Sequence, residues 1–256
     1  MRWRRPARGA SPGAGGRFRW RSAACTHTGL VRSVNEDACL ARPERGLWAV
    51  ADGMGGHAVG DYASRTVIAA LDEVRPAASL APLVAGARER LHAANQRLRR
   101  EAAIRNVPVI GSTVVVLAAC GGACGCLWAG DSRLYLCRGA RLRLLTRDHR
   151  LAGACGAPGP FASAVTRAVG AVDALDPECA TVTAYDGDMF LLCSDGLSDA
   201  VSDREIAGAL VRGDCARAAA ALVELALARG GNDNISAIVV RAEDTLGERT
   251  LLNPAL

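Results

Sequence analysis

The order of the apolar segments along the chain constrains its fold more than any other feature. Short apolar runs separated by glycine and charged residues predict strands, and four longer segments with apolar residues at helical spacing predict helices. Two of the helices, over 62–74 and 80–104, follow the first three strands, and two, over 202–211 and 215–229, precede the last strand. Strands and helices therefore do not alternate as a parallel βαβ arrangement requires. The order favours antiparallel sheets with helices packed outside them.

Turn signals between the strands predict how some of them pair. The glycine-containing turns at 121–122, 138–140 and 186–187 each separate two apolar runs, and each predicts a hairpin. The strands are predicted over 22–28, 38–42, 47–51, 113–120, 125–128, 133–137, 141–145, 181–185, 189–193 and 235–241. Together with the helices, these elements predict an α+β fold.

Composition and charge restrict the classes of function. Half of the 256 residues are apolar, which is enough for one sizeable core in a single domain. The formal charge is +5, but arginines crowd into the first 21 residues and the remainder is close to neutral. No basic stripe interleaved with aromatic residues follows, so we expect no nucleic-acid partner. We expect residues 1–20 to be a disordered basic extension, 21–243 to be the folded domain and 244–256 to be a C-terminal tail.

The chain carries no sequence signal for a membrane or for secretion. No apolar run is long enough to span a bilayer, and no signal-peptide apolar segment follows the basic N-terminus, so we expect a cytoplasmic monomer without a membrane span. The spacing of Cys120, Cys124 and Cys126 is a poor match to a zinc site. Disulfides are unusual in the cytoplasm, so the 10 cysteines are expected to be small buried side chains on strands.

Five aspartates point to the chemistry of the chain. Asp37, Asp52, Asp131, Asp195 and Asp233 are each predicted at the end of an apolar strand or just beyond it, and most have glycine or asparagine beside them. A single Asp-Gly pair is more often a hairpin turn. Carboxylates that converge on one rim of a sheet, however, repel one another unless cations neutralise them. Because these ligands are all oxygens, the pattern indicates Mg²⁺ or Mn²⁺ rather than zinc.

Seven short motifs include these aspartates and follow one another between residues 20 and 241. They are Arg32–Asp37, Val50–His57, Gly111–Thr113, Trp128–Arg133, Leu144–His149, Cys193–Asp199 and Gly231–Ser236. In this order they resemble the metal-dependent protein phosphatases (PPM), also called protein phosphatase 2C, and in particular their bacterial serine/threonine phosphatase branch. The resemblance implies a four-layer α-β-β-α sandwich of two antiparallel β-sheets flanked by helix pairs, with metal ions in a cleft at one edge.

The resemblance also implies roles for individual residues. The implied metal ligands are Glu36, Asp37, Asp52, the backbone carbonyl of Gly53, Asp131, Asp195 and Asp233. Asp52 would bridge two tightly held ions, and Asp131 would share a third, weaker ion with Asp195. Arg32 would clamp the substrate phosphate, for which a guanidinium fork is well suited. Arg32 and Asp52 are therefore the implied catalytic residues.

The implied activity is hydrolysis of phosphoserine and phosphothreonine in proteins by a hydroxide that bridges two Mn²⁺ or Mg²⁺ ions. Expected partners are phosphoprotein substrates, including a bacterial Ser/Thr kinase that the enzyme opposes, and the segment around Trp128 suggests a link to type VI secretion. Two features depart from the family pattern. Met54 follows Asp-Gly where animal members have a histidine, which leaves His57 as the nearest one. Residues 150–164 are shorter and richer in glycine and proline than the family's helical flap.

Two other functions remain open from the sequence. A phosphatase that acts on a small phosphoester would have the same metal site, and activity on phosphopeptides against nucleotides would separate the two. A catalytically inactive relative used as a binding module is disfavoured, because Asp52, Asp195 and Asp233 are all present. Ser194 and Cys193 are disfavoured as nucleophiles, because neither has a base at hand.

Overall fold

A computed structural model describes residues 18–55, 59–150 and 165–245. Its strands are β1 (Phe18–His27), β2 (Asp37–Arg42), β3 (Leu47–Met54), β4 (Gly111–Ser112), β5 (Val114–Cys120), β6 (Ala123–Ala129), β7 (Arg133–Arg138), β8 (Arg141–Leu144), β9 (Glu178–Thr183), β10 (Met189–Cys193) and β11 (Ile235–Asp244). Its helices are α1 (Gly60–Asp72), α2 (Leu80–Arg105), α3 (Asp195–Ser198), α4 (Asp203–Leu210) and α5 (Cys215–Ala228). Apart from the short β4 and α3, each element matches a segment predicted from the sequence. β1 starts inside the range expected to be disordered, and residues 1–17 lie outside the described ranges.

The first sheet has the strand order β2-β3-β5-β6-β9, with β4 paired to β3. The helices α1 and α2 cover one of its faces. Val67 of α1 and Leu91 of α2 are fully buried against Val116 and Leu127 of the sheet. This apolar layer binds the first helix pair to the first sheet.

The second sheet has the strand order β1-β11-β10-β7-β8. The helices α4 and α5 pack on its outer face, where Leu210 and Leu222 meet Leu191 and Val239. A capping box begins α4, since the side chain of Ser202 bonds the first turn and Glu205 bonds back to the Ser202 backbone. The capping of α4 and the apolar faces of α4 and α5 thus agree with the positions of these helices on the second sheet.

The remaining apolar layer lies between the two sheets. Side chains of a strand point alternately to its two faces, so Trp48 and Leu117 of the first sheet point away from α1 and α2 and meet Phe190 and Ile238 of the second. The ring of Trp20 lies 5.7 Å from that of Trp48, measured between centroids. The sheets therefore stack face to face between helix pairs, which confirms the predicted four-layer sandwich.

The hairpin predicted around residues 186–187 is wrong, whereas the hairpins β5–β6 and β7–β8 are confirmed. β9 pairs with β6 in the first sheet, and β10 pairs with β7 and β11 in the second. The chain between β9 and β10 therefore crosses from one sheet to the other. β9 alternates between half-buried and exposed residues, while β10 is buried throughout, as expected for an edge strand and a central strand. A turn signal in the sequence predicts that the chain reverses direction, but it does not predict which sheet the next strand joins.

An ion pair between the half-exposed Arg138 and a buried carboxylate anchors this crossing. Asp188 is 1% exposed and accepts hydrogen bonds from Arg138 Nε at 2.8 Å, from Arg138 Nη2 at 2.7 Å and from the Tyr185 N–H at 2.9 Å. Arg138 ends β7 and also lies over the ring of Tyr185, 4.3 Å from its centroid. The pair thus ties the second sheet to the loop that leads into it.

The prediction of small buried side chains holds for only four of the nine described cysteines, and Cys25, Cys39, Cys120 and Cys215 are half-buried. The described cysteines are free thiols, and Cys124, Cys126, Cys137 and Cys193 are buried. Cys179 is exposed, against the expectation, because it lies on the edge strand β9. Among the described residues, no helix is both long and apolar enough to cross a membrane.

The crossing gives a stability prediction. Arg138→Ala leaves the buried Asp188 carboxylate with the Tyr185 N–H alone, so the free energy of unfolding should fall by about 3 kcal/mol. Arg42→Ala is the matched control, because it breaks a similar two-bond pair to the half-exposed Asp72 and should cost about 1 kcal/mol or less. Urea unfolding measures both losses. Equal losses would show that the crossing does not depend on the Asp188 pair.

Candidate metal centre

Antiparallel pairing brings the five aspartates to one rim of the sandwich. Asp52 lies near the end of β3, and Asp37 opens β2 directly opposite it in the register. Asp131 follows β6, Asp195 follows β10, and Asp233 precedes β11. The prediction that all five end or follow strands is wrong for Asp37 and Asp233, which begin or precede theirs. In antiparallel sheets the start of one strand lies beside the end of the next, so both groups reach the same rim.

A cavity of ≈ 380 Å³ opens at this rim. It is lined by Arg32, Glu36, Asp52, Gly53, Asp131, Asp195 and Asp233 of the predicted site, together with Met54, Gly55, Thr113, Val165 and Asn234. Asp37 is the one predicted site residue that does not line it. This side chain is buried, 8% exposed, and its residue lies opposite Asp52 in the register of β2 and β3. The structure therefore gathers the predicted residues in one place.

The backbone around Asp52 is fixed by the segment that precedes β5. The Thr113 N–H donates to the Asp52 carbonyl at 2.8 Å, and the Asp52 N–H donates to Thr113 Oγ1 at 3.2 Å. Gly53 must be glycine, since a Cβ there would overlap the carbonyl oxygen of Gly60 and lie 2.9 Å from that of Glu36. The close approach of these backbones leaves the end of β3 little freedom to move.

Asn234 ties together the loop that carries Arg32 and Glu36. Its Nδ2 donates to the carbonyl oxygens of Thr28 at 2.8 Å and Val34 at 2.9 Å, and its Oδ1 accepts from the Glu36 N–H at 2.7 Å. The sequence placed Asn234 in a motif but gave no reason to assign it this role, because the partners are about 200 positions away. The side chain holds Arg32 and Glu36 at the cavity.

Burial raises the pKa of Asp37 to about 7, and the charges of Asp195 and Asp233 add to the effect while hydrogen bonds from Ser236 and Ser194 oppose it. Ser194 Oγ donates to Asp37 Oδ2 at 2.7 Å and accepts from the Ser236 N–H at 3.0 Å. Ser194 is fully buried in this contact. It therefore positions a carboxylate, which agrees with its rejection as a nucleophile.

Cys193 is also unsuited to nucleophilic attack. Burial raises the pKa of its thiol to about 12, so the reactive thiolate is scarce at neutral pH. The side chain is fully buried in the apolar layer under α4 and α5 and does not line the cavity.

The carboxylates at the cavity resist ionising together. Although part of the Asp52 side chain faces the cavity, burial is the largest cause that raises its pKa well above the ordinary value, followed by the charges of Asp37 and Asp195. Burial also raises the pKa of Asp195 to about 6, with the charge of Asp131 next in importance. A cation among these groups would favour their charged forms and relieve the repulsion.

Two arginines place positive charge among these carboxylates. Arg32 Nη2 donates to Asp233 Oδ2 at 2.8 Å. Arg150 Nε donates to Asp131 Oδ2 at 2.5 Å and its Nη2 to Asp195 Oδ2 at 2.9 Å. Sequence reasoning identified Arg32 but missed Arg150, which follows the Leu144–His149 motif and has no local signal for such distant partners.

Several oxygen atoms at the site suit a divalent ion. Glu36 Oε1 and Asp37 Oδ1 are buried and have no hydrogen-bond partner among the described residues. In those same ranges no three Asp, Glu, His or Cys side chains lie close enough together to hold one ion, so the carboxylates would have to rotate toward it. Hard divalent cations prefer carboxylate and carbonyl oxygens. The donor atoms therefore fit Mg²⁺ or Mn²⁺.

The two departures from the family pattern have different outcomes. Met54 follows Asp-Gly and lines the cavity. Because its side chain is a thioether, it has no proton to donate to a leaving group. His57 and residues 151–164 of the expected shortened flap lie outside the described ranges. Arg133, the last residue of the Trp128–Arg133 motif, points to Asp148, to which its Nη2 donates at 2.7 Å.

Comparisons with known proteins show to which family this chain is similar. The family model described as Protein phosphatase 2C matches residues 25–237. The serine/threonine protein phosphatase PstP of Mycobacterium tuberculosis is 37% identical over 238 residues, which cover 88% of this chain and 45% of PstP. The chain thus spans less than half the length of that relative. Protein phosphatase PhpP of Streptococcus pneumoniae is 31% identical over 84% of this chain and 94% of PhpP.

Solved structures share the fold over most of the chain. PppA, described as a key regulatory component of the T6SS in Pseudomonas aeruginosa, has a TM-score of 0.83 and 48% identity over 87% of this chain and 97% of PppA. The catalytic domain of PstP in complex with two manganese ions has a TM-score of 0.78 and 37% identity over 89% of this chain and 100% of that domain. With the family match, the fold and the order of the motifs in agreement, this chain belongs to the protein phosphatase 2C family.

Proposed function

We propose that this chain is a metal-dependent protein phosphatase that hydrolyses phosphoserine and phosphothreonine. The observation that carries the proposal is the cavity where Asp52, Asp195 and Asp233 converge with Arg32. It combines carboxylates that suit divalent ions with a guanidinium that suits a phosphate. The phosphatase names of PstP and PhpP support the same activity.

We assign two tightly held ions, Mn²⁺ or Mg²⁺, to this centre, and a third, weaker ion to Asp131 with Asp195. The ligands of the tight pair would be Glu36, Asp37, Asp52, the carbonyl of Gly53, Asp195 and Asp233. Bound divalent ions supply a hydroxide nucleophile at neutral pH and neutralise charge on the phosphate. The buried partnerless oxygens of Glu36 and Asp37 support the assignment, as do the two manganese ions in the PstP catalytic domain.

Arg32 is the residue that we assign to the substrate phosphate. Its side chain is 46% exposed at the cavity, and its bond to Asp233 uses one of the five N–H donors of the guanidinium. The remaining donors can bind phosphate oxygens while Asp233 holds the group in place. Met54 carries no titratable proton, so we assign protonation of the leaving alcohol to solvent.

A polypeptide fits the surroundings of the cavity better than a small phosphoester does. A second cavity of ≈ 380 Å³ adjoins the first and shares Asp195 and Asp233 with it. Leu30 and Val31, which precede Arg32, are exposed apolar side chains. An open surface of this extent, with apolar groups beside the phosphate-binding arginine, gives contacts to residues that flank a phosphorylated side chain.

The cellular role follows from the substrate class and the relatives. Reversal of a phosphorylation opposes a Ser/Thr kinase, so we propose such a kinase, itself a phosphoprotein, as a substrate in the cytoplasm. The 48% identity to PppA supports a link to type VI secretion.

Metal dependence is the first test of this function. Purified protein should hydrolyse a phosphoaryl ester with Mn²⁺ or Mg²⁺ and stop in EDTA, and a phosphothreonine peptide should give a higher kcat/KM than a nucleoside monophosphate. The same ions should raise Tm, since they bind the folded state. Full turnover in excess chelator would overturn the proposal. A preference for the nucleotide would replace the protein substrate with a small phosphoester.

A change at Asp52 should affect turnover and thermal stability in opposite ways. Asp52→Asn removes a charge that two ions need, so turnover should fall by orders of magnitude. The variant also removes repulsion from Asp37 and Asp195, so in EDTA its Tm should equal or exceed that of the wild type. Cys193→Ser is the control and should retain most of its turnover. Loss of activity in the cysteine variant instead would indicate a thiol mechanism.

Arg32 should affect substrate binding rather than the supply of the nucleophile. Arg32→Ala is expected to raise KM and to lower kcat/KM. The loss of transition-state stabilisation should be about 2–4 kcal/mol, as for loss of a charge-assisted contact. Arg42→Ala, which removes an arginine from the far end of β2, should leave both constants unchanged. Steady-state kinetics on a phosphopeptide give the comparison. Unchanged kinetics in Arg32→Ala would place the phosphate-binding cation elsewhere.

A further inference from the structure

The backbone of Arg150 is held beside Asp131 by its neighbour His149. The His149 N–H donates to the Gly130 carbonyl at 3.0 Å, and the Gly130 N–H donates to His149 Nδ1 at 3.1 Å. Arg150 itself forms a bridge with Val165 on its other side. The side chain of Arg150 therefore starts from a fixed point next to the metal centre.

The guanidinium of Arg150 binds three carboxylates at once. Its Nε donates to Asp131 at 2.5 Å, its Nη2 to Asp195 at 2.9 Å and its Nη1 to Asp199 at 3.3 Å. Arg150 is 23% exposed and Asp131 only 3%, so the contact with Asp131 is shielded from solvent. All three nitrogens of the fork are in use, whereas Arg32 pairs with one carboxylate.

Arg150 is a permanent cation in this position. Burial by itself would lower the pKa of its guanidinium, but the hydrogen bond to Asp131 and the charges of Asp131, Asp199 and Asp195 raise it overall. Asp131 and Asp195 are also the two residues assigned above to the weaker metal ion. A guanidinium and a divalent ion cannot both lie against the same oxygens, because their charges repel and the volume is shared.

We infer that Arg150 is a resident cation of the Asp131–Asp195–Asp199 carboxylates, and that a third divalent ion binds there only by displacing its guanidinium. The inference rests on the proposed function, since it takes the tight metal pair as present. It gives the chain a two-ion centre whose third position is occupied by a side chain. Millimolar Mn²⁺ then competes with Arg150 instead of filling an open site.

Calorimetric titration of metal-stripped protein with Mn²⁺ tests the inference directly. Wild type should bind two ions tightly and a third weakly. Arg150→Gln should keep the tight pair and bind the third ion about tenfold more tightly or better, because a competing unit charge is gone. The control Arg42→Gln removes the arginine of the surface ion pair with Asp72, and this variant should bind Mn²⁺ like wild type.

Thermal unfolding gives a readout that does not depend on turnover. In EDTA, Arg150→Gln should melt below wild type, because three carboxylates lose their cation, and saturating Mn²⁺ should raise its Tm by more than it raises that of wild type. A lower Tm without any change in the affinity for the third ion would make Arg150 a structural bridge and overturn the inference.

Two further variants keep the test decisive. Asp131→Asn added to Arg150→Gln should abolish the gain in third-ion affinity, since that carboxylate would hold the ion. If Arg150→Gln does not fold, Arg150→Lys replaces it, because an ammonium keeps the charge but cannot contact three carboxylates in the same geometry. Its third-ion affinity should exceed that of wild type, and an unchanged affinity would overturn the inference. Failure of wild type to bind Mn²⁺ at all would instead count against the proposed function.

Discussion

Negative charge gathered at one rim is the constraint on which the rest of this structure depends. The register of β2 and β3 sets Asp37 opposite Asp52, and Asp131, Asp195 and Asp233 reach the same rim. Burial and mutual repulsion raise the pKa of several of these carboxyl groups. Such a rim destabilises the folded state until cations bind it, so three apolar layers must supply the stability that the site itself does not.

Positive charge at the rim comes from two arginines that are held differently. Arg32 is half-exposed and pairs with Asp233 alone, which leaves donors for a substrate phosphate. Arg150 is more deeply buried and shared among three carboxylates, so it is a poor candidate for the substrate and a good counterion for the centre. The number of carboxylates that each arginine contacts thus supports the proposed division between phosphate binding by Arg32 and charge balance by Arg150.

The site depends on the contact between the two sheets. Asp37 and Asp52 lie on strands of the first sheet, Asp131 follows its strand β6, and Asp195 and Asp233 adjoin strands of the second. The chain passes between the sheets from β9 to β10 at the other end of β10, where Arg138 and Asp188 anchor it. Asn234 and Ser194 then bond across from the second sheet to the loop of Glu36 and to Asp37. The site is therefore complete only when the two sheets are packed against each other.

The sequence alone determined the α+β class, the helix pairs and two of three hairpins, and it picked out the carboxylates and Arg32 that the structure gathers at one rim. Periodicity, turn chemistry and short motifs are local, so they can be read without the fold. Only the tertiary structure decided that the turn at 186–187 joins two sheets, that Asn234 holds the Glu36 loop, and that Arg150 lies among Asp131, Asp195 and Asp199. Each of these depends on pairing between positions far apart in the chain, for which a short segment carries no signal.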